Sequence, residues 1–439
     1  MRFSSLGDWL NWQEGLHSSP IDMGLERVSA VLQRLDLSLP AATITVGGTN
    51  GKGSTVAMLD AILRAEGYRV GTYTSPHILV YNERICVNGV PVSDDDLIQA
   101  FERIDQARQD ISLSFFEFGT LAALVIFSAK ALDVQILEVG LGGRLDAVNM
   151  VDATAAIVTS IDIDHESWLG THREAIAREK AGIFRPGRPA VLGDDRALPE
   201  LEADSRLKGI ELLISGRDFD FGKDADQNLW WWRGCQEGHS VTLEQLPRPA
   251  LAGEHQYRNA AAVLQCLTSV HSCLPVSRQA VCHGLANVYV PGRFQRVATD
   301  PHQPAVVVDV AHNPAAAAVL ARQITALMPG KRIEAVFSIM RDKDMEGVIT
   351  ALLPCIEHWH LVPLGHVQRA ATPEQIRDIF MQMGEGHAVT VHESMEDALD
   401  RANARLTQDD MILVFGSFFL VSAFFSTHSN PSSQALSNG

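Results

Sequence analysis

Thr43-Ile44-Thr45-Val46-Gly47-Gly48-Thr49-Asn50-Gly51-Lys52-Gly53-Ser54-Thr55 decides how the rest of the chain is read. A short apolar run, TITVGG, ends in glycines. It is followed by STVAMLDAILRAEG, Ser54 to Gly67, whose apolar residues recur at helical spacing up to a glycine stop. A glycine-rich loop between a buried strand and a helix lets backbone N–H groups approach phosphates. The helix N-terminus adds positive potential and Lys52 a full charge. Against the pattern G-x-x-x-x-G-K-[ST], Val46 stands where the first glycine belongs and Gly53 where the metal-binding hydroxyl belongs. Any Mg²⁺ must therefore find oxygen ligands elsewhere.

Outward from this loop, strands and helices alternate. RVGTYTS, VQILEV (Val134–Val139) and AAIVTS (Ala155–Ser160) read as buried strands. SDDDLIQAFERIDQARQD, opened by Ser93 as a cap, FFEFGTLAALVIFSAKAL and THREAIAREKAGIF read as helices. The alternation implies a parallel sheet covered on both faces. Residues 189 to 250 change to short strand-like pieces with a tryptophan cluster, Trp230 to Trp232, which a sheet extension fits. After the helical NAAAVLQCLTSV and Pro291-Gly292-Arg293, a second alternating block runs from AVVVDV to MILVFGS. The expected division is a first domain over 1–296, a smaller second α/β domain over 297–426, and a polar, disordered tail over 427–439.

The formal net charge of −17 argues against nucleic acid and anionic membrane as partners, which need a basic surface. Six scattered cysteines, without a C-x-x-C pair, read as reduced thiols rather than a disulfide frame or zinc site. MRFSSLGDWLNWQEG lacks the continuous apolar core of a signal peptide. Met411 to Phe425 is shorter than a membrane span and reads as a buried strand running into a packed helix.

Ligands of open α/β sheets bind outside the carboxyl ends of the strands. Ser75, Glu138, Asp162, Asp164 and His165 all fall at such ends and are candidate metal ligands. A lone residue of either type is more often solvated or packed; a phosphate loop in the same sheet shifts the balance for Glu138 and His165. Gly140-Leu141-Gly142-Gly143-Arg144 is not G-x-G-x-x-G and reads as a tight backbone approach to a ligand.

Together VGGTNGKGST, TSPH (Thr74–His77), SFFEFGT, ILEVGLGGRLDAVN, TSIDIDHESWLG, IAREKAGIF, PGRFQ and DVAHNP resemble bacterial dihydrofolate synthase/folylpolyglutamate synthase, of the Mur ligase superfamily. The resemblance runs from Ile21 to Ala423 and departs at DAVN, where many relatives have DATN. It implies a P-loop parallel-sheet ATPase domain followed by a Rossmann-like α/β domain. It also implies an ATP-dependent ligase that joins L-glutamate to dihydropteroate and to reduced folates through an acyl phosphate. Thr49, Asn50, Gly51, Lys52, Gly53 and Ser54 would hold the ATP phosphates, with Asn259, Arg293 and Asp309 on the nucleotide. Ser75 and Glu138 would bind one Mg²⁺ and His165 a second. Lys180 would be an N6-carboxylysine. Asp309 and His312, from the second domain, would face the reaction centre and handle the amine. The pteroate would lie against Asp22, Met23, Gly24 and Leu25, Ser114, Phe115, Phe116 and Glu117, and Leu145, Asp146 and Ala147. A cytoplasmic monomer acting on small molecules is expected. The alternatives are another Mur-superfamily amino-acid ligase, whose UDP-binding domain has no room before residue 48, and a P-loop regulatory ATPase. A pure folate-binding module leaves the phosphate loop without a use.

Overall fold

Every residue of the strand Ala42–Gly47 (β1) is buried, with Ile44 and Val46 fully so. Burying each such aliphatic side chain contributes about 1.5–3 kcal/mol, so this run belongs at the centre of a sheet. In the computed structural model it does. The structure describes residues 2–428, apart from 20, 197, 225–227, 237, 298–299 and 366. The expected tail falls largely outside these residues, but Thr427 and His428 close the helix Phe418–His428.

The remaining strands of the first unit are Val70–Tyr73 (β2), Ile85–Val87 (β3), Val90–Pro91 (β4), Val134–Glu138 (β5), Ala155–Val158 (β6), Pro189–Leu192 (β7), Glu211–Ile214 (β8), Asp220–Lys223 (β9), Leu229–Gln236 (β10) and His239–Pro247 (β11). The first eight form one sheet in the order β4-β3-β2-β5-β1-β6-β7-β8. β2, β5, β1, β6, β7 and β8 are parallel, while β3 and β4 close one edge antiparallel. The long segment between β2 and β5 brings β5 in between β1 and β2. The carboxyl ends of β2, β5, β1, β6 and β7 therefore stand side by side.

The helices follow from local signals. Lys52–Glu66 starts at Gly51 in left-handed geometry (φ 88°). It stops at Gly67 (φ 102°), whose N–H donates to Arg64 O and Leu63 O. Asp94–Arg108 and Phe115–Ala129 each open on a capping box, Ser93 with Asp96 and Ser114 with Glu117. The sheet extension expected over 189–250 is β7 and β8, joined by the helix Pro199–Leu207. The tryptophan cluster instead lies in β10 of a separate antiparallel sheet, β11-β10-β9. Alternation puts Trp230 and Trp232 inside and leaves Trp231 partly exposed.

The second unit comprises residues 251–254 and 290 onward. Its strands are Gln295–Val297 (β12), Ala305–Asp309 (β13), Ile333–Phe337 (β14), His358–Leu361 (β15), Val389–Val391 (β16) and Met411–Phe415 (β17). They form one sheet, β12-β13-β17-β14-β15-β16, with only β12 antiparallel. The boundary falls at Val290 rather than 296/297, because β12 pairs with β13 and carries the Pro291-Gly292-Arg293 turn with it. Among the described residues, no helix is long and apolar enough to cross a membrane.

Candidate active site

The loop after β1 is held by the strand ends beside it. Gly48 has φ 143°, and a β-carbon there would sit 1.9 Å from Thr159 Oγ1, so only glycine fits. Thr159 Oγ1 donates to Asn50 O (2.6 Å) and Thr49 N donates to Ser160 O (2.8 Å). Asn50 N donates to Ser160 Oγ (3.1 Å). Lys52 Nζ reaches across the loop to Gly48 O (3.0 Å) and Thr49 O (3.3 Å). Asn259 abuts the opposite side: a β-carbon on Gly51 would lie 2.9 Å from Asn259 Oδ1. The Asn259 amide is oriented by donating to Gln256 Oε1 (3.0 Å). Ser54, in the first turn of the helix, is buried and accepts from Gln256 Nε2 (3.4 Å).

Ser75 and Glu138 come together at the ends of β2 and β5. Ser75 N donates to Glu138 Oε2 (3.2 Å), and the Glu138 carboxylate is buried. A β-carbon on Gly53 would meet that carboxylate at 3.9 Å, so the metal candidates adjoin the phosphate loop. His165 lies farther along the loop after β6, with φ 54° and its backbone N–H on Asp164 Oδ1 (2.8 Å). Among the described residues, no group of three or more His, Cys, Asp or Glu side chains is set to hold a metal. Mg²⁺ seldom needs such a cage, since phosphate and water oxygens complete its shell. A buried carboxylate beside a serine, both hard oxygen donors next to a phosphate loop, fits that ion.

Lys180 is almost fully buried in the helix Arg173–Ala181. Burial, together with the Lys52 charge, brings its ammonium down to about 7, against the pull of Asp164, Asp146 and Asp162. An ordinary helix-surface lysine would have neither property. Asp146 is buried as well and is pushed up to about 6 by desolvation. It ties the loop after β5 by accepting from Leu141 N (2.8 Å) and Val148 N (3.0 Å).

That loop meets the other residues expected around a pteroate. A β-carbon on Gly140 would strike the Phe116 ring at 2.6 Å, and one on Gly142 would touch Met23 Cε at 3.3 Å. Arg27 joins the remaining pieces, with Nη1 on Asp22 Oδ2 (2.6 Å) and Nη2 on Glu117 Oε1 (3.0 Å). Glu117 in turn accepts from Ser114 N (2.7 Å). Phe115 turns elsewhere, edge-on to Tyr81 and under Arg84. Gly24 and Leu25 lead into the helix Glu26–Leu35, while Leu145 and Ala147 flank Asp146.

Sequence reading missed Arg27, Thr159, Ser160 and Gln256. Thr159 and Ser160 follow a buried strand directly, the signal that flagged Asp162. Arg27 has no local signal, because its partner Glu117 is ninety positions away. Also unforeseen was Asp194, just past β7, which accepts from Arg196 (2.7 Å), Arg173 (2.9 Å) and Ile161 N (2.9 Å). Burial pushes its carboxyl up, but these partners outweigh burial and hold it at about 2, below the ordinary 3.8. A depressed carboxyl contributes stability that is present above the unfolded value and lost as pH falls towards the folded one. The amount is about 2 kcal/mol. The melting temperatures of wild type and Asp194→Asn are expected to approach each other as pH drops from 5 to 3. A gap that stays constant would contradict this.

In the second unit, Asp309 ends β13, where its two oxygens accept from Phe294 N (2.8 Å) and Ala311 N (2.7 Å). Burial raises its carboxyl, against the Arg293 charge. The Arg293 guanidinium lies 5.6 Å from the centre of the Phe418 ring, and His312 packs on the same ring. His312 Nδ1 is 2.8 Å from Val310 O. A carbonyl only accepts, so Nδ1 carries the proton and Nε2 is the basic nitrogen.

The chain is similar to known proteins along most of its length. Residues 46–267 match the Mur ligase middle domain, and residues 292–418 the Mur ligase glutamate ligase domain. The dihydrofolate synthase/folylpolyglutamate synthase of Escherichia coli is 43% identical over 420 residues, covering 95% of this chain and 94% of that protein. The Haemophilus influenzae protein of the same name is 40% identical, covering 96% and 97%. Among solved structures, E. coli FolC in complex with DHPP and ADP superposes with a TM-score of 0.88 at 41% identity, covering 97% of each chain. A bifunctional folylpolyglutamate synthase/dihydrofolate synthase with Mn, AMPPNP and L-glutamate bound superposes with a TM-score of 0.86 at 39% identity, covering 97% of this chain and 98% of that one. With its phosphate loop between β1 and a helix and a second α/β unit later in the sequence, the chain belongs to the dihydrofolate synthase/folylpolyglutamate synthase family of Mur ligases.

Proposed function

We propose that this chain is an ATP-dependent ligase that joins L-glutamate to dihydropteroate and to reduced folates. One observation carries the reading. The phosphate loop, the Ser75–Glu138 pair and the Met23, Phe116 and Asp146 surface all gather at the same strand ends of the first unit. Solved relatives hold ADP, AMPPNP, Mn, DHPP and L-glutamate, and we carry the corresponding ligands to this chain.

A carboxylate resists amines because its charge repels nucleophiles and oxide leaves poorly. In the proposed route a carboxylate oxygen of the folate attacks the γ-phosphorus of ATP, releasing ADP and forming an acyl phosphate. The α-amine of glutamate then attacks the acyl carbon; phosphate leaves and the nitrogen gives up a proton. Lys52 and the N–H groups of residues 51–53 stabilise charge on the transferring phosphoryl group, while those of Thr49 and Asn50 tie the loop to Ser160. Ser75 and Glu138 are the residues to hold one Mg²⁺ and His165 a second; when bound, these ions neutralise phosphate charge. Lys180 is assigned the carbamate. Asn259, Arg293 and Asp309 are assigned to the nucleotide.

His312 is the residue suited to accept the amine proton, because its Nδ1–H is fixed on a carbonyl and Nε2 is the basic atom. Both oxygens of Asp309 accept backbone N–H groups, so besides its assignment to the nucleotide it holds the loop that carries His312. His312→Ala is expected to retain ATP binding and lose about a hundredfold in kcat. Unchanged turnover would remove His312 from the mechanism.

The test of the activity is phosphate release with ATP, Mg²⁺ and glutamate, run separately with dihydropteroate and with tetrahydrofolate. Release that requires glutamate and either folate is expected. Release indifferent to glutamate would favour a regulatory ATPase.

A further inference from the structure

Arg196 and Arg173 occupy no place in the chemistry above, yet they grip a single peptide beside the phosphate loop. Ile161 O accepts from Arg196 Nη2 (2.6 Å) and from Arg173 Nε (3.1 Å), while Ile161 N donates to the buried Asp194 (2.9 Å). Arg196 also pairs through Nη1 with Asp162 (2.8 Å) and through Nη2 with Asp194 (2.7 Å). Two arginines and two aspartates thus form a neutral cage at the ends of β6 and β7. The next residue carries the restraint onward. Asp162 N donates to Thr49 Oγ1 (3.0 Å), and Thr49 Oγ1 donates to Asp162 O (3.0 Å). Three positions later the same segment reaches His165.

We infer that Arg196, with Arg173 and Asp194, is a positioning residue that sets the phosphate loop through the Ile161–Asp162 peptide and Thr49. The physical reason is the planar fork. One guanidinium makes three contacts in fixed directions, to Asp162, Asp194 and Ile161 O, which an ammonium cannot reproduce. The bonds of the cage converge on Ile161, and the next residue, Asp162, bonds Thr49 in turn. Outer partners of this kind typically change ligand affinity about 10–100-fold when removed. The inference rests on the assignment of Thr49–Lys52 to phosphate binding.

The test uses the full chain with Arg196→Gln and Arg196→Lys. The Arg196 side chain is half exposed, so both variants should fold. AMPPNP with Mg²⁺ is titrated into each protein by calorimetry, and KM values for ATP and for dihydropteroate are measured beside melting temperatures. Arg196→Gln is expected to weaken AMPPNP binding and raise KM for ATP about tenfold. KM for dihydropteroate should stay within about twofold, and Arg196→Lys should fall between Gln and wild type. AMPPNP binding unchanged in Arg196→Gln overturns the inference while leaving the phosphate-loop assignment intact. Both KM values rising together with a lowered melting temperature overturns it in favour of a purely structural cage. Failure of wild type to bind AMPPNP overturns the phosphate-loop assignment and this inference with it.

Discussion

Lys180→Ala is expected to lower glutamate-dependent phosphate release about a thousandfold, the scale of losing a preorganised charge at a phosphoryl-transfer site. Carbamate formation joins the uncharged amine to CO₂ and releases one proton, so it needs a neutral lysine. At its ordinary value of 10.5, a lysine at pH 7 is uncharged in roughly one molecule in three thousand. Burial and the Lys52 charge bring Lys180 down to about 7, so about half is reactive at neutral pH. Modification replaces a poorly solvated cation near Lys52 with an anion. Short carboxylates such as acetate should therefore restore part of the activity of the alanine variant, and intact mass should reveal a labile CO₂ adduct on wild type alone. Because the free amine titrates near 7, lowering the pH below 6 in CO₂-free buffer should strip the adduct. Full activity of Lys180→Ala would end the assignment.

Lys52→Ala is expected to cost a similar factor, about a thousandfold in kcat/KM for ATP. The Lys52 ammonium spans two carbonyls of its own loop, Gly48 O and Thr49 O, so it braces the loop as well as supplying charge. Removing it leaves the loop tied by Thr159, Ser160 and Asp162. The fold should survive, with melting of the first unit little changed and AMPPNP binding lost. Retained AMPPNP affinity in Lys52→Ala would show that phosphate binds elsewhere.

Most of the fold was legible because burial and periodicity are local. β1, β5 and β6 are short, fully buried runs rich in aliphatic residues, and the capping boxes at Ser93 and Ser114 start their helices where the pattern requires. The region from 189 to 250 was less legible. β7 and β8 join the parallel sheet, but the tryptophan-bearing hairpin forms its own, and a four-residue strand does not announce its partner. The main segment of the second unit begins at Val290, seven residues before the expected 297, because β12 is too short and polar to show that it pairs with β13.

Sequence alone determined the phosphate loop, the α/β class of both halves, the family and a set of residues at strand ends. These are properties of a few neighbouring positions: a glycine where a side chain would clash, a lysine at a helix start, a carboxylate closing an apolar run. Tertiary structure alone decided which of them meet. Insertion of β5 between β1 and β2 sets Glu138 beside Ser75 and Gly53, Arg27 links Asp22 to Glu117, and Asp194 draws two arginines onto Ile161. Such pairings depend on strand order and on side-chain reach across tens of residues, and a one-dimensional pattern does not encode either.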